Sequence, residues 1–432
     1  MVTTIAMAYG ERGYELALDS TLVDPSVILP IDPPALSDPM ASCVSALRKP
    51  IGIPPLRTLA EALLARCYDR SPRVVIAIAD HTRPVPDYIL VPALVAELGV
   101  PDSAVTILIG TGTHRGSTPE EIKRLLGPAV SRFKVINHDC HDPQLVHVGN
   151  SSCGGECWLN KAWVDADLRL ATGFIEPHFY AGFSGGSKSI VPGLAGLKTV
   201  QHFHRASLIA DPGTTWGDVT RNPLQRLTRE MTALCPPHAI INVTLNRSKQ
   251  ITGVYAGSVT AAHDAGCLAA THEALVPVTR RYPLVVTTNS GYPLDQNFYQ
   301  TIKGISAAAR IVEPGGTILS LSRCNVGLPD EGDFRTILSD PRPSAELHRA
   351  IQDTVVTRHD QWQVQTLFQC LEQARVVLYS DLTPAQRTLT RTEHTDDPVA
   401  FIHQLARDYG KRLPVAVMPL GPLTIPLVAT SG

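Results

Sequence analysis

Polar residues with useful chemistry stand where apolar runs of this chain end. Asp80, His81, Thr82 and Arg83 follow VVIAIA directly, and His114 and Arg115 close GTGTHR after VTILI. His178 ends LRLATGFIEPH, and Tyr299, Gln300 and Lys303 come soon after PLVVTTNSGYP. Ligands of open α/β sheets bind outside the carboxyl ends of the strands, so these run ends can furnish one cleft. Imidazole titrates near neutral pH, which makes His114 and His178 a candidate acid/base pair. Arg83 suits a carboxylate, because its planar fork offers two parallel charge-assisted bonds.

The segment Gly182 to Gly196, GFSGGSKSIVPGLAG, holds five glycines in fifteen residues. Such a run lets the backbone approach a ligand closely and adopt positive φ. It is not a Walker loop, which requires G-x-x-x-x-G-K-[ST]. Here Gly186 comes four residues after Gly182, and Ser187 stands before Lys188. Pro192 would also interrupt the helix such a loop feeds. What is left is a glycine bed around Lys188, whose amine can form an amide-type or imine link to a carbonyl-like group.

His202 and His204 flank Phe203 in an expected helix after Gly196. Residues two apart do not share a helix face, so at most one of them points into a cleft. His138 and His141 read as hydrogen-bonding loop residues rather than metal ligands. Cys153 and Cys157 have a tempting spacing, but no second pair follows, which argues against structural zinc.

These residues need elements to hold them. Runs rich in Val and Ile recur at 74–80, 104–114, 133–139, 168–178, 239–246, 283–293, 315–322 and 374–381. Both faces of such runs are apolar, as in buried parallel strands. Helix-like stretches lie between them, at 119–126 behind the N-cap Thr118 and at 343–352. Strand alternating with helix predicts an α/β fold: two domains with mainly parallel sheets and an active-site cleft between them. The boundary is expected near residue 270. Residues 1–270 then carry the loops and histidines, and 271–432 close the substrate cleft. Tyr9 to Gly13, YGERG, reads as a turn between two short strands, placed as an elaboration of the first domain.

Composition removes several classes of function. A net charge of -2 without a long run of one sign argues against nucleic acid or an anionic membrane as main partner. No apolar run approaches the ~20 residues of a spanning helix. The start, MVTTIAMAYG, lacks the pattern of a signal peptide. Nine scattered cysteines, an odd number, point to reduced thiols and a cytoplasmic location.

Five blocks then come in order: DHTRP (Asp80 to Pro84), GTGTHR (Gly110 to Arg115), EPHFYAGFSGGSKSIVPGLAG (Glu176 to Gly196), QHFH (Gln201 to His204) and GYPLDQNFYQTIKG (Gly291 to Gly304). In order and spacing the chain resembles the nickel-pincer-nucleotide-dependent lactate racemases. Softer similarity reaches DPMASCVSALRKPIGIPPL near the start and MPLGPLTIP near the end. The resemblance implies a pyridinium mononucleotide whose two sulfur-containing arms and a ring carbon hold nickel. It implies that Lys188 tethers this cofactor, that His204 ligates nickel, and that His114 and His178 are the acid/base pair. Asp80, Thr82 and Arg83 would contact the cofactor, with Arg83 also facing a carboxylate. Tyr299, Gln300 and Lys303 would contact substrate. Cofactor-maturation proteins are implied as partners.

The implied reaction inverts C2 of a 2-hydroxy acid such as lactate or malate. Removing a proton next to a carboxylate is hard, so hydride leaves instead, through a flat 2-keto acid, while a base takes the hydroxyl proton. Two readings compete. A conventional nucleotide-binding oxidoreductase lacks a clear G-x-G-x-x-G here, and a non-catalytic nickel or cofactor carrier would not need two histidines beside Arg83 and Lys303.

Overall fold

The chain is described by a computed structural model over residues 1–330 and 332–429. All eight expected runs form strands: Val74–Ala79, Val105–Gly110, Lys134–Asn137, Leu168–Phe174, Ala239–Leu245, Tyr282–Thr288, Val312–Leu321 and Arg375–Tyr379. Val74, Val75, Ile76, Ala77 and Ile78 are all buried, as a strand covered on both faces requires. The helix Pro119–Leu126 starts at Thr118 with a full capping box to Glu121. The second expected helix spans Ser344–Asp353.

Contacts divide the chain into two units. One comprises Asp32–Phe203 and Gly213–Glu273. Its six-stranded sheet runs, edge to edge, Ile251–Gly257, Ala239–Leu245, Leu168–Phe174, Val74–Ala79, Val105–Gly110, Lys134–Asn137. Every neighbouring pair is parallel except the first, which is antiparallel. The chain order reverses between the Val74 and Leu168 strands, and such a switch point opens a crevice at the strands' carboxyl ends.

The other unit comprises Met1–Ile31, His204–Pro212 and the chain from Ala274 onward. Its sheet runs Glu393–His394, Arg375–Tyr379, Val312–Leu321, Tyr282–Thr288, Leu413–Met418, Val23–Val27, all parallel. Here the order reverses between the Tyr282 and Leu413 strands.

A single boundary near residue 270 therefore differs from the structure, which returns the first thirty-one residues to the C-terminal unit. The reason is a long-range pairing: Val23 to Val27 lie in register with Leu413 to Val417. The expected turn at Tyr9–Gly13 joins Val2–Met7 to Tyr14–Asp19, and this hairpin buries Ile5, Met7, Leu16 and Leu18 in the same core. His204 also lies outside the expected helix, which ends at Phe203.

Candidate active site

Asp80 is the first residue past the Val74 strand and is only 3% exposed. Its Oδ2 lies 2.7 Å from His114 Nδ1. Its Oδ1 accepts from the Thr82 hydroxyl at 2.6 Å and the Thr82 N–H at 3.1 Å. Arg83 Nη1 in turn donates to Thr82 Oγ1 at 3.0 Å. Burial by itself would raise the Asp80 carboxyl. The His114 hydrogen bond and charge, with Arg83 and Thr82, outweigh it and hold the group well below the usual carboxylate range. A carboxylate only accepts, so His114 carries a proton on Nδ1 and, when neutral, presents a lone pair at Nε2.

His178 is arranged the opposite way. Its Nδ1 accepts from the Tyr180 and Ala181 backbone N–H groups, each at 3.2 Å. A neutral ring must then carry its proton on Nε2, which lies 3.3 Å from Lys188 Nζ. Both histidines thus flank the switch point of the sheet, with opposite tautomers.

Lys188 sits in the short 3-10 turn Gly186–Ser189. The glycines around it answer to protein atoms. A Cβ at Gly185 would stand 2.8 Å from Asn242 Oδ1 and 2.9 Å from Phe174 O, and one at Gly186 would stand 2.5 Å from His263 Cγ. Close approach was expected from the glycine content, but the neighbours at these two positions are buried side chains and backbone of this unit. Asn242 and His263 were not visible in the sequence, where they are an asparagine in a strand and a histidine in a helix.

His81 and Arg115 turn to the capped helix. Arg115 makes a two-pronged pair with Glu121 at 2.8 Å each, and His81 Nδ1 meets Ser117 Oγ at 3.2 Å. His138 Nε2 faces Ala195 O at 3.0 Å, the hydrogen-bonding role expected of it. No group of three or more His, Cys, Asp or Glu able to hold a metal occurs among the described residues.

The other candidates belong to the second unit. His204, 9% exposed, stacks on Trp362 with ring centroids 4.4 Å apart. Trp362 Nε1 donates to the Tyr299 hydroxyl at 3.0 Å, and Gln363 Nε2 donates to Tyr299 O at 2.7 Å. Stacking uses the ring face and leaves the His204 nitrogens at the ring edge. Tyr299, Gln300 and Lys303 lie in the first turns of Phe298–Ala309, capped by Asn297, whose side chain accepts from Gln300 N. Tyr299 and Lys303 are four apart and share a helix face. Gln300 Oε1 is buried without a hydrogen-bond partner among the described residues. The loop before this helix is tied by Asp295, 0% exposed, which accepts from Gly10 N at 2.7 Å and Arg323 N at 3.2 Å. Trp362 and Asp295 also escaped the sequence reading, where a tryptophan in a helix reads as core.

This is the construction of an α/β enzyme with two histidines and a lysine at a topological switch point. Models of the lactate racemase N-terminal and C-terminal domains match residues 9–217 and 279–409. A lactate racemase of Lactiplantibacillus plantarum is 36% identical over 342 residues, 78% of either chain. One from Thermoanaerobacterium thermosaccharolyticum is 35% identical over 341 residues, again 78% of either chain. The structure of the lactate racemase apoprotein from Thermoanaerobacterium thermosaccharolyticum superposes with a TM-score of 0.89 at 30% identity, covering 98% of this chain and 100% of that one. A Thermotoga maritima protein with a TM-score of 0.64 and 15% identity, covering 87% of this chain and 98% of that one, shares the fold. The chain belongs to the lactate racemase family, a family of isomerases.

Proposed function

We propose that this chain is a racemase or epimerase acting at C2 of a 2-hydroxy acid, lactate or a relative such as malate, with a nickel-pincer nucleotide as its resident cofactor. The observation that carries the reading is the His114–Asp80 pair at 2.7 Å, set at the same switch point as His178 and Lys188. The names of the two similar lactate racemases support the substrate class.

The residues present fit the group. Lys188 offers an amine beside an imidazole N–H, His204 offers an imidazole held by its face, and neutral imidazole suits nickel. We assign the tether to Lys188 and the nickel ligand to His204. When bound, the cofactor supplies a hydride acceptor, as a nicotinamide would.

The chain's own residues handle the proton and the carboxylate. His114 takes the substrate hydroxyl proton at Nε2, because Asp80 holds its Nδ1–H and stabilises the imidazolium that forms. We assign His178 to the mirror-image substrate, whose hydroxyl points the other way; its Nε2 becomes a base only when the ring proton shifts to Nδ1 and the Tyr180 and Ala181 N–H bonds give way. Asp80 and Thr82, assigned to cofactor contact, also orient this loop through their bonds to one another, to His114 and to Arg83. We assign Arg83 to the cofactor and to a substrate carboxylate, and Lys303 and Gln300, whose Oε1 is buried, to substrate contact. Tyr299 lines the same turn. The nine scattered cysteines support a reducing, cytoplasmic compartment, and no described helix is long and apolar enough to cross a membrane.

The test is to expose cofactor-loaded protein to each lactate enantiomer, then to a panel of 2-hydroxy acids, and follow optical rotation. Loss of rotation with either enantiomer of one acid is expected. Unchanged rotation across the panel, with turnover of ATP or NAD instead, overturns the reading.

A further inference from the structure

The turn that carries Lys188 is held from behind by side chains of separate elements. Gly186 N donates to Asn242 Oδ1 at 2.8 Å, from the Ala239–Leu245 strand. Ser184 O faces His263 Nε2 at 2.9 Å, from the Ala261–Ala274 helix. Thr232 Oγ1 donates to Ser187 O at 3.2 Å, and Ser189 Oγ donates to Thr172 O at 3.2 Å. Asn242 and His263 are each 1% exposed, so neither reaches a ligand from solvent. A Cβ at Gly173 would also stand 3.0 Å from Asn242 Nδ2, so three glycines, with 185 and 186, make room for these two side chains.

We propose that Asn242 and His263 are positioning residues that fix the Lys188 turn, and with it the distance from the Lys188 amine to His178. The proposal rests on the reading of Lys188 as the tether. Asn242 holds the amide two residues before Lys188, and His263 holds the carbonyl four residues before it. Burial keeps His263 neutral, pushed down to about 4, so its Nε2–H is a permanent donor to Ser184 O. A glycine-rich turn has many backbone states of its own, and these two bonds select one. Joining the amine to a thiocarboxylic carbon as a thioamide would form one C–N bond and release that carbon's oxygen as water, and such an attack tolerates little misplacement, with about 1 Å costing on the order of a hundredfold.

The experiment loads the full chain and its variants with the nickel-pincer nucleotide and follows the Lys188 adduct by intact mass, with the melting temperature taken alongside. Asn242→Leu and His263→Phe should form the adduct at least tenfold more slowly than the unaltered chain. His263→Gln keeps an N–H donor near the Nε2 position and should load within about twofold. Asn242→Ser, which removes the reach to Gly186 without adding bulk, stands in if the larger changes prevent folding, and should load slowly. Loading of folded Asn242→Ser and His263→Phe at the unaltered rate overturns the proposal, as does a loss in His263→Gln equal to that in His263→Phe. If the unaltered chain and Lys188→Ala carry the same adduct, the tether reading fails instead. Positioning is then judged by deuterium exchange of the Gly186 amide, which must quicken in Asn242→Ser for the proposal to stand.

Discussion

His114 Nδ1 lies 2.7 Å from Oδ2 of Asp80, a carboxylate almost wholly buried at the end of a central parallel strand. This one bond decides which nitrogen of His114 can act as a base. The other candidate histidine, His178, has its Nδ1 occupied by two backbone donors, so the pair is chemically unequal before any ligand arrives.

Replacing Asp80 by Asn keeps a side chain of the same shape but removes the charge that stabilises the His114 imidazolium. We expect kcat to fall roughly 10²–10⁴-fold with KM changed far less. Steady-state rates on both lactate enantiomers check this. A loss below tenfold would remove Asp80 from the mechanism.

The two histidines should fail differently. For two enantiomers the equilibrium constant is unity, so kcat/KM stays equal in both directions whatever the mutation. The difference must be sought in a half-reaction. In a single turnover with loaded protein, His114→Gln should block 2-keto acid formation from one enantiomer and spare the other. His178→Gln should show the reverse preference. Equal suppression of both enantiomers by each variant would sink the division of roles.

Trp362 supports His204 through its ring face at a centroid distance of 4.4 Å. Residues that orient a metal ligand typically contribute about 10–100-fold in metal affinity. Trp362→Leu should therefore release nickel more readily to a chelator, and His204→Ala more readily still. Metal content per chain after chelation reads both, and retention equal to that of the unaltered chain would refute the assignment.

A buried acid lends the fold a pH dependence of its own. Asp87 is 0% exposed, and burial pushes its carboxyl from 3.8 up to about 8, only partly offset by the Thr172 hydroxyl at 2.6 Å. Between those values the folded chain binds more protons than the unfolded one, so this group's contribution to stability falls as pH rises. The steepest slope is about 1.4 kcal/mol per pH unit. Asp87→Asn should abolish that slope and be the more stable protein at pH 8. Denaturant melts of both proteins at pH 5 and pH 8 decide it, and parallel slopes would contradict the prediction.

Much of this was legible from sequence because it is local. The runs around Val74, Val105 and Leu168 are apolar on both faces, and that pattern alone demands buried parallel strands. Thr118 and Glu121, three apart before an apolar run, announce their capping box. The polar residues at the strand ends and the lysine in its glycine run were visible for the same reason.

Tertiary structure decided whatever depends on residues far apart in the chain. The first thirty-one residues join the C-terminal unit because Val23 pairs with Leu413, and no local pattern encodes that partner. Glycines 185 and 186 announced a close approach, but only the fold reveals that Asn242 and His263 do the approaching. Likewise a histidine's residue type says it can move a proton. Which of its nitrogens carries the ring proton is set by a carboxylate thirty-four residues away for His114, and by the turn at Tyr180 for His178. Sequence dictates chemistry and period, whereas hydrogen-bond partners brought together by folding dictate tautomer, orientation and access.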